Sequence, residues 1–334
     1  MTDHSAAASP VQVSVIVVTW NTRAMTLECL GTVFQNLGAV RAEVIVVDNA
    51  SEDDTAAEVH RRFPSARLIE NRSNLGFAAA NNQAMRVARG EYFLLLNSDT
   101  LVRGNVVEAS VEYLEDHPGV GVMGCRVLNA DETLQVSCSQ EPGLLNIFLM
   151  TCGADRLPWP RWFGRYQMRH WPRHDEREVP VVSGCFMLVR QHAIREVGML
   201  DESFFFFGEE TDWCIRFRAR GWGVRFAPVG EIVHYGSASA ASLSERRSLL
   251  LTEALCRLQR KHKGQLAAVA MWALLLVFNF TRTLGYGVRG VVLRRSADLR
   301  RAAFFWRVVA SMGQVLRVAV QKKPESPEPN LEAS

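Results

Sequence analysis

Between residues 13 and 128 the chain alternates short apolar runs with longer stretches of mixed polarity. Residues 13–18 form a β-branched run ending at Thr19-Trp20-Asn21, and a stretch with helical spacing follows over 22–37. Residues 44–47 form a second run, which stops at Asp48-Asn49-Ala50-Ser51. Asp53 and Asp54 open a helix through Arg62, residues 67–69 predict a third short strand, and 77–89 predict another helix. The fourth run, residues 92–96, reads Tyr-Phe-Leu-Leu-Leu and ends at Asn97-Ser98-Asp99. Apolar runs without polar alternation are strands buried on both faces. Strands alternating with helices at this spacing imply right-handed βαβ units. The pattern therefore predicts an α/β fold, with a mainly parallel sheet covered by helices. It also puts polar residues at the carboxyl ends of the strands, where open α/β sheets bind ligands.

Beyond a helix over 105–116 the pattern loosens, with strand candidates at 120–128, 134–137 and 181–189. The stretch 140–178 is rich in Pro, Trp, Arg and His and holds no sustained period, so it reads as a mobile insertion. It is either a wall of the site or a plain surface loop. Four phenylalanines, 204 to 207, precede Gly208-Glu209-Glu210-Thr211-Asp212, and a helix is expected from Trp213 to Arg220, closed by Gly221. Strands at 224–227 and 231–235 complete this body, and no internal repeat is visible.

Length and charge change the picture in one respect. The 334 residues exceed one typical domain, so a body of about 250 residues with an appendage is expected. The net charge of +3 conceals an asymmetry: residues 257–323 carry fourteen Lys and Arg against the single acid Asp298. The last eleven residues carry three Glu, which leaves residues 1–256 at −7. A basic segment on an acidic body fits an anionic surface as partner. Seven cysteines at 29, 125, 138, 152, 185, 214 and 256 are scattered and odd in number, which argues against a disulfide framework and for a reducing, cytoplasmic compartment. Residues 1–10 show no secretory pattern and are expected to be a disordered lead-in.

Five motifs then stand in one order: residues 15–21 (Val-Ile-Val-Val-Thr-Trp-Asn), residues 46–51 (Val-Val-Asp-Asn-Ala-Ser), Asn74-Leu75-Gly76-Phe77, Asn97-Ser98-Asp99 and residues 208–212 (Gly-Glu-Glu-Thr-Asp). Together they resemble glycosyltransferase family 2 of the GT-A type, in its rhamnosyltransferase-like branch, over residues 13–240. The resemblance implies a Rossmann-like GT-A domain over 11–243, with a nucleotide-binding half at 11–128 and an acceptor-binding half at 129–243. It implies an inverting, metal-dependent transfer of a sugar from a nucleotide donor, dTDP-rhamnose or a UDP-sugar, to a glycan or polyprenyl-linked acceptor in bacterial cell-surface polysaccharide synthesis.

Such a reaction needs a base-recognition edge, a cradle for the diphosphate and a means of offsetting leaving-group charge. Asp48 can accept the imide N–H of uracil or thymine, and the resemblance puts Thr19, Trp20 and Asn21 beside the ring. The alternative for Asp48 is an Asx-turn onto Ser51. Asn74 and Gly76 form a turn before a helix whose free N–H groups favour anions, or else an ordinary loop turn. Asp99 is the candidate metal ligand, with Mg2+ or Mn2+ suited to its hard oxygen, or a simple N-cap of the next helix. Asn97 stands at the first acid of the family's Asp-x-Asp pattern and supplies a neutral ligand, with Ser98 between them on the donor side. His234 matches a position where the family adds an imidazole ligand, although a lone histidine is often structural. Glu210 occupies the base position by alignment, because one carboxylate must take the acceptor hydroxyl proton. Glu209 and Asp212 are expected to support the acceptor, the loop or a basic partner, or to complement the dipole of the Trp213 helix. Ser183 and Gly184 resemble the family's small-residue acceptor segment, with Cys185 packing behind them.

The C-terminal part, 244–323, predicts a basic amphipathic helical region. Its apolar run 266–278 is shorter than the roughly 20 residues that span a bilayer, and basic residues flank it. Helices lying on an anionic cytoplasmic leaflet fit best, with a buried helical core and a true span as alternatives. The protein is thus expected on the inner face of the cell membrane, peripheral and open to self-association. No interleaved aromatic and basic platform suggests nucleic acid. An acidic, disordered tail closes the chain at 324–334. A sugar nucleotidyltransferase would want a Gly-rich basic loop after the first strand, which Thr19-Trp20-Asn21-Thr22 does not offer. A glycan-binding protein without turnover is disfavoured by the carboxylates at 99 and 210.

Overall fold

A computed structural model describes residues 10–154, 157, 163–236 and 245–320. The expected lead-in (but for Pro10), the acidic tail and the junction at 243/244 lie outside the described residues. The chain divides into two compact units, residues 1–242 and 243–334.

The first unit is built on a nine-stranded sheet. Its first half follows the βαβ expectation: β1 (Val13–Thr19), α1 (Arg23–Gln35), β2 (Ala42–Asp48), α2 (Thr55–Arg62), β3 (Arg67–Glu70), α3 (Phe77–Val87) and β4 (Tyr92–Asn97). Then come β5 (Thr100–Val102), α4 (Val106–Asp116), β6 (Val120–Leu128), β7 (Cys138–Ser139), α5 (Leu144–Thr151), β8 (Arg177–Glu178), β9 (Val181–Val182), β10 (Phe186–Arg190), α6 (Gln191–Val197), α7 (Glu209–Ala219) and β11 (Gly223–His234). The sheet order is β3-β2-β1-β4-β10-β6-β11-β5, with β8 on β11. Following the pairings, β3, β2, β1, β4, β6 and β11 run one way, and β10, β5 and β8 run against them.

The apolar runs feed two cores because side chains alternate between sheet faces. Val13, Val15, Val17, Leu94 and Leu96 join one core with α1 and α4, through Leu30, Val33, Val107 and Leu114. Ile16, Ile45, Phe93 and Leu95 join the other with α3, α6 and α7, through Ala80, Ala84, Ile194, Trp213 and Phe217. Neither face of the central strands meets water, which is why their sequences show no polar alternation.

Five local expectations are corrected. Residues 134–137 form no strand beyond a bridge of Leu134 to Leu128; the ribbon is β7 with β9. The expected strand 181–189 is two strands, broken where the Ser183 hydroxyl accepts the Cys185 N–H and competes with the ladder. The stretch 140–178 contains α5, whose eight residues are too few to show a sustained period, and it buries Ile147 and Trp171. Helix α7 begins at Glu209, four residues before the expected start, because Glu209, Glu210 and Asp212 suit a helix N-terminus. Residues 224–227 and 231–235 belong to one strand, β11, whose register shifts between Phe226 and Glu231 around Pro228, a residue with no N–H to give the ladder.

The second unit consists, among the described residues, of α8 (Glu245–Lys263), α9 (Gln265–Val292) and α10 (Ser296–Val320). The run 266–278 is part of a 28-residue helix, so the length that spoke against a span is revised. Both α9 and α10 are long and apolar enough to cross a membrane. They pack on one another through Trp272, whose Nε1–H donates to Met312 O at 2.8 Å, and through paired hydrogen bonds of 2.8 Å from Arg289 to Asp298. Large apolar side chains stay exposed, Leu266 at 88% among them.

Candidate active site

Parallel, in-register pairing sets Thr19 beside Asp48 and Val18 beside Asn97, so the carboxyl ends of β1, β2 and β4 form one edge. At the end of β2, Asp48 is 4% exposed. Its Oδ2 accepts the Ser51 N–H at 3.0 Å, while its buried Oδ1 has no hydrogen-bond partner. One oxygen thus closes the Asx-turn and the other is left over. An unpaired buried acceptor costs about 1–3 kcal/mol, which a ligand N–H would offset.

The β1 end differs from expectation. The buried Thr19 hydroxyl lies 3.0 Å from that of Thr22 and 2.7 Å from that of Thr26, so it braces the loop from within. Asn21, at φ 51°, donates its N–H to Ser51 Oγ at 2.9 Å and accepts the Glu52 N–H at 2.7 Å. Its side chain pins two strand-end loops together. Trp20 is 48% exposed on this edge.

The turn before α3 is also more occupied than its sequence implied. Asn74 Oδ1 accepts the Gly76 N–H at 2.9 Å and the Asn49 amide at 3.0 Å, and the Phe77 N–H donates to Phe205 O at 2.9 Å. Two donors at this helix start are therefore already taken, which leaves the next N–H groups of α3 for the expected anion contact. What Gly76 provides is close approach: at φ +85°, a Cβ there would strike Phe205 O. The turn thereby fastens the 74–76 loop to the phenylalanine segment leading into α7.

Asn97-Ser98-Asp99 joins β4 to β5 rather than to a helix, so Asp99 caps none. The antiparallel pairing of β11 with β5 sets His234 opposite Thr100 and carries the imidazole to the turn. His234 Nε2 lies 3.2 Å from Asp99 Oδ1 and 3.2 Å from Asn97 Nδ2. Its Nδ1 is 2.6 Å from Gln135 Oε1, and Gln135 donates its amide to Asn129 Oδ1 and His234 O. A carboxylate oxygen of Asp99 and a ring nitrogen of His234 thus stand side by side at the turn, with the far ring nitrogen held by Gln135. Two adjacent atoms of this kind suit a cation. Ser98 Oγ lies 3.2 Å from Thr22 Oγ. Among the described residues, no group of three or more His, Cys, Asp and Glu side chains is arranged to hold a metal.

The residues expected on the acceptor side are reached through β10. The Asn97 N–H donates to Cys185 O at 3.2 Å, and a Cβ on the neighbouring Gly184 would lie 3.6 Å from the Phe77 ring and 3.9 Å from Glu210 Cβ. Pairing of β4 and β10 thus brings the Ser183-Gly184 segment and Glu210 to the Asn97 turn. Burial lifts the Glu210 carboxyl above the ordinary range. Glu209, 4% exposed, is lifted well above it, first by burial and then by the charge of Glu210, and its Oε2 has no partner. Burial and the nearby charge of Glu210 push Tyr166 up to about 12. Asp212 does not join this group. It is fully enclosed and accepts from Arg216 Nε at 2.8 Å, while Arg216 also donates to the carbonyls of Val197 and Met199. Its expected acceptor contact gives way to the basic-partner alternative. Gln135 and Tyr166 were missed because their links to His234 and Glu210 cross 99 and 44 residues and follow no motif.

The sheet order, the acid at the end of β4 and the carboxylates opening α7 define a GT-A-type glycosyltransferase. The family model described as "Glycosyl transferase family 2" matches residues 14–198, more than half of the sequence, and the chain belongs to that family. It is 27% identical over 207 residues to the N-acetylglucosaminyl-diphospho-decaprenol L-rhamnosyltransferase of Mycobacterium tuberculosis, covering 59% of this chain and 67% of that protein. It is 30% identical over 129 residues to the glycosyltransferase GlyG of Streptococcus pneumoniae, 36% of this chain and 40% of the relative. The fold is similar to that of GalNAc-T7 with UDP, GalNAc and Mn2+, at TM-score 0.56 and 14% identity, over 76% of this chain and 48% of that one. It is also similar to a mannosyltransferase of Pyrobaculum calidifontis in complex with GDP-Man and Mn2+, at TM-score 0.50 and 17% identity, over 93% and 88%.

Proposed function

We propose that this glycosyltransferase is inverting and metal-assisted, and moves a sugar from a nucleoside diphosphate donor, dTDP-rhamnose or a UDP-sugar, to a polyprenyl-linked or glycan acceptor in bacterial cell-surface polysaccharide synthesis. The reading rests chiefly on the orphaned Asp48 Oδ1, which shares one sheet edge with the Asp99–His234 pair. An acceptor oxygen buried at a strand's carboxyl end suits the imide N–H that uracil and thymine share. The similarity to a decaprenol-linked rhamnosyltransferase supports the donor and acceptor classes.

The Asp99–His234 geometry fits a divalent cation of the Mg2+ or Mn2+ kind, with a carboxylate oxygen and an imidazole lone pair as two protein ligands. When bound, such an ion offsets the negative charge of the departing diphosphate. Glu210 takes the acceptor hydroxyl proton onto its carboxylate as that hydroxyl oxygen attacks the anomeric carbon from the face opposite the nucleotide. The burial that lifts its pKa makes it a better base near neutrality. Gly184 carries no side chain where a Cβ would touch both the Phe77 ring and Glu210, which keeps the approach to the base open. Asn97 Nδ2 lies 3.2 Å from His234 Nε2, Ser98 and Thr19 hold the turn through the threonine cluster, and burial favours the protonated form of Glu209, the residue before the base.

The enzyme works, on this reading, at the cytoplasmic leaflet. Helix α10 is interrupted near its middle by Arg307 and carries Arg300 and Arg301 before it, while Arg282 and Arg289 follow the uncharged stretch 265–281 of α9. Charges at a bilayer centre cost about 2.5–3.5 kcal/mol each, so helices lying among anionic headgroups are favoured over helices crossing. The test is nucleotide release across dTDP- and UDP-sugars with a polyprenyl-linked acceptor and Mg2+ or Mn2+. Wild type turns over, Asp48→Asn loses donor affinity, and Asp99→Ala and Glu210→Gln lose turnover. Full activity in Glu210→Gln or in excess chelator overturns the mechanism.

A further inference from the structure

Helix α5 carries an apolar stripe that the fold does not cover. Leu145 and Phe148 are 55% and 51% exposed, Leu149 is half-buried, and Cys152 just past the helix end is exposed. These positions are spaced i, i+3, i+4 and i+7 and share one face, while Asn146, Ile147 and Thr151 face the protein. The helix is strongly apolar and uncharged. The segment beside it is basic: Gln140 N–H donates to Tyr166 O at 2.7 Å, and Arg165 and Arg169, flanking that tyrosine, are exposed. An exposed apolar face next to exposed arginines is complementary to a lipid surface, with hydrocarbon for the stripe and phosphate for the guanidinium groups. Glu141, three residues before α5, accepts from Arg218 Nη1 at 2.8 Å, and Arg218 lies on α7, the helix that also carries Glu210, so the stripe belongs to the expected acceptor-binding half.

We propose that the exposed face of α5 is a membrane-docking surface of the catalytic unit itself, separate from the C-terminal helices, which seats the acceptor side in an anionic leaflet. It rests on the proposed lipid-linked acceptor, since only such an acceptor requires that half at the bilayer. The short helix enters the headgroup layer with Leu145, Phe148 and Leu149 towards the hydrocarbon, and Arg165 and Arg169 contact lipid phosphates.

Cys152 gives the direct test, being the one exposed cysteine among the described residues. In the full chain, an environment-sensitive fluorophore on Cys152 is expected to shift to the blue on phosphatidylglycerol vesicles that contain no acceptor. Phosphatidylcholine vesicles should give a much smaller shift. Leu145→Glu with Phe148→Glu should weaken the lipid titration of that signal by about tenfold or more, since two half-exposed large side chains lose their hydrocarbon contact. Both side chains point outwards, so the unfolding midpoint of the double variant should match wild type. The proposal is overturned if the label does not respond on vesicles to which the chain binds, or if the double variant responds equally. It is also overturned if the response needs added polyprenyl diphosphate, which would make the stripe a groove for the acceptor's own chain. Turnover on a water-soluble, short-chain acceptor separates these outcomes from failure of the transferase reading, because it needs no bilayer.

Discussion

Replacing Gly76 with alanine tests the joint between the 74–76 loop and the segment that leads to Glu210. The residue sits at φ 85° and ψ 173°, a region open almost only to glycine, where any other residue costs about 1–3 kcal/mol. The added Cβ would also strike Phe205 O and lie 2.9 Å from Phe205 Cδ2. Backbone must therefore move, and the 2.9 Å bond from the Phe77 N–H to Phe205 O is lost, worth about 1 kcal/mol. The sum is about 2–4 kcal/mol, a large share of the 5–15 kcal/mol typical of a folded domain. Urea unfolding followed by tryptophan fluorescence should show this loss. Displacement of the segment entering α7 should lower kcat/KM by tenfold to about a hundredfold. Gly31→Ala is the control: it lies inside α1 with nothing within 4 Å of a built Cβ, and should stabilise by up to about 1 kcal/mol. A Gly76→Ala loss below about 0.5 kcal/mol, with unchanged kcat/KM, would refute the joint.

Four further outcomes follow from the site. Glu210→Gln should reduce kcat by about 10²–10⁴ with donor binding retained, measured by nucleotide release and by donor titration. The kcat/KM of wild type should rise with pH through an apparent pKa above the ordinary carboxylate range, because the base must be ionised and burial resists that. Glu209 contributes a linked stability effect. Its raised folded pKa means the native state holds a proton that the unfolded chain has released, so stability falls as pH rises from the unfolded value towards the folded one. Glu209→Gln should flatten that fall and raise the unfolding midpoint at neutral pH; an unchanged pH profile would contradict the assignment. Arg216→Met should destabilise by about 3–5 kcal/mol in chemical denaturation, since it strands the enclosed Asp212 carboxylate.

The sequence by itself determined the strand–helix alternation of residues 13–128, because strands covered on both faces must be apolar throughout and therefore stand out from the helices between them. It also marked the polar residues at their ends, since Thr19, Asp48 and Asn97 are where each run stops. Tertiary structure alone decided which of these residues could meet a ligand. Asp48 keeps one oxygen unpaired while the Thr19 hydroxyl is consumed inside, and both end a strand in the same way. The Asp99–His234 pair depends on β11 returning antiparallel to β5, and Glu210 reaches the same edge only because β10 lies beside β4. Asp212 and Glu210 are two residues apart, yet one faces Arg216 in the interior and the other the Ser183-Gly184 segment. Local pattern is written by period and burial, which neighbours in sequence share. Pairing across more than a hundred residues is set by sheet order, which no local window contains.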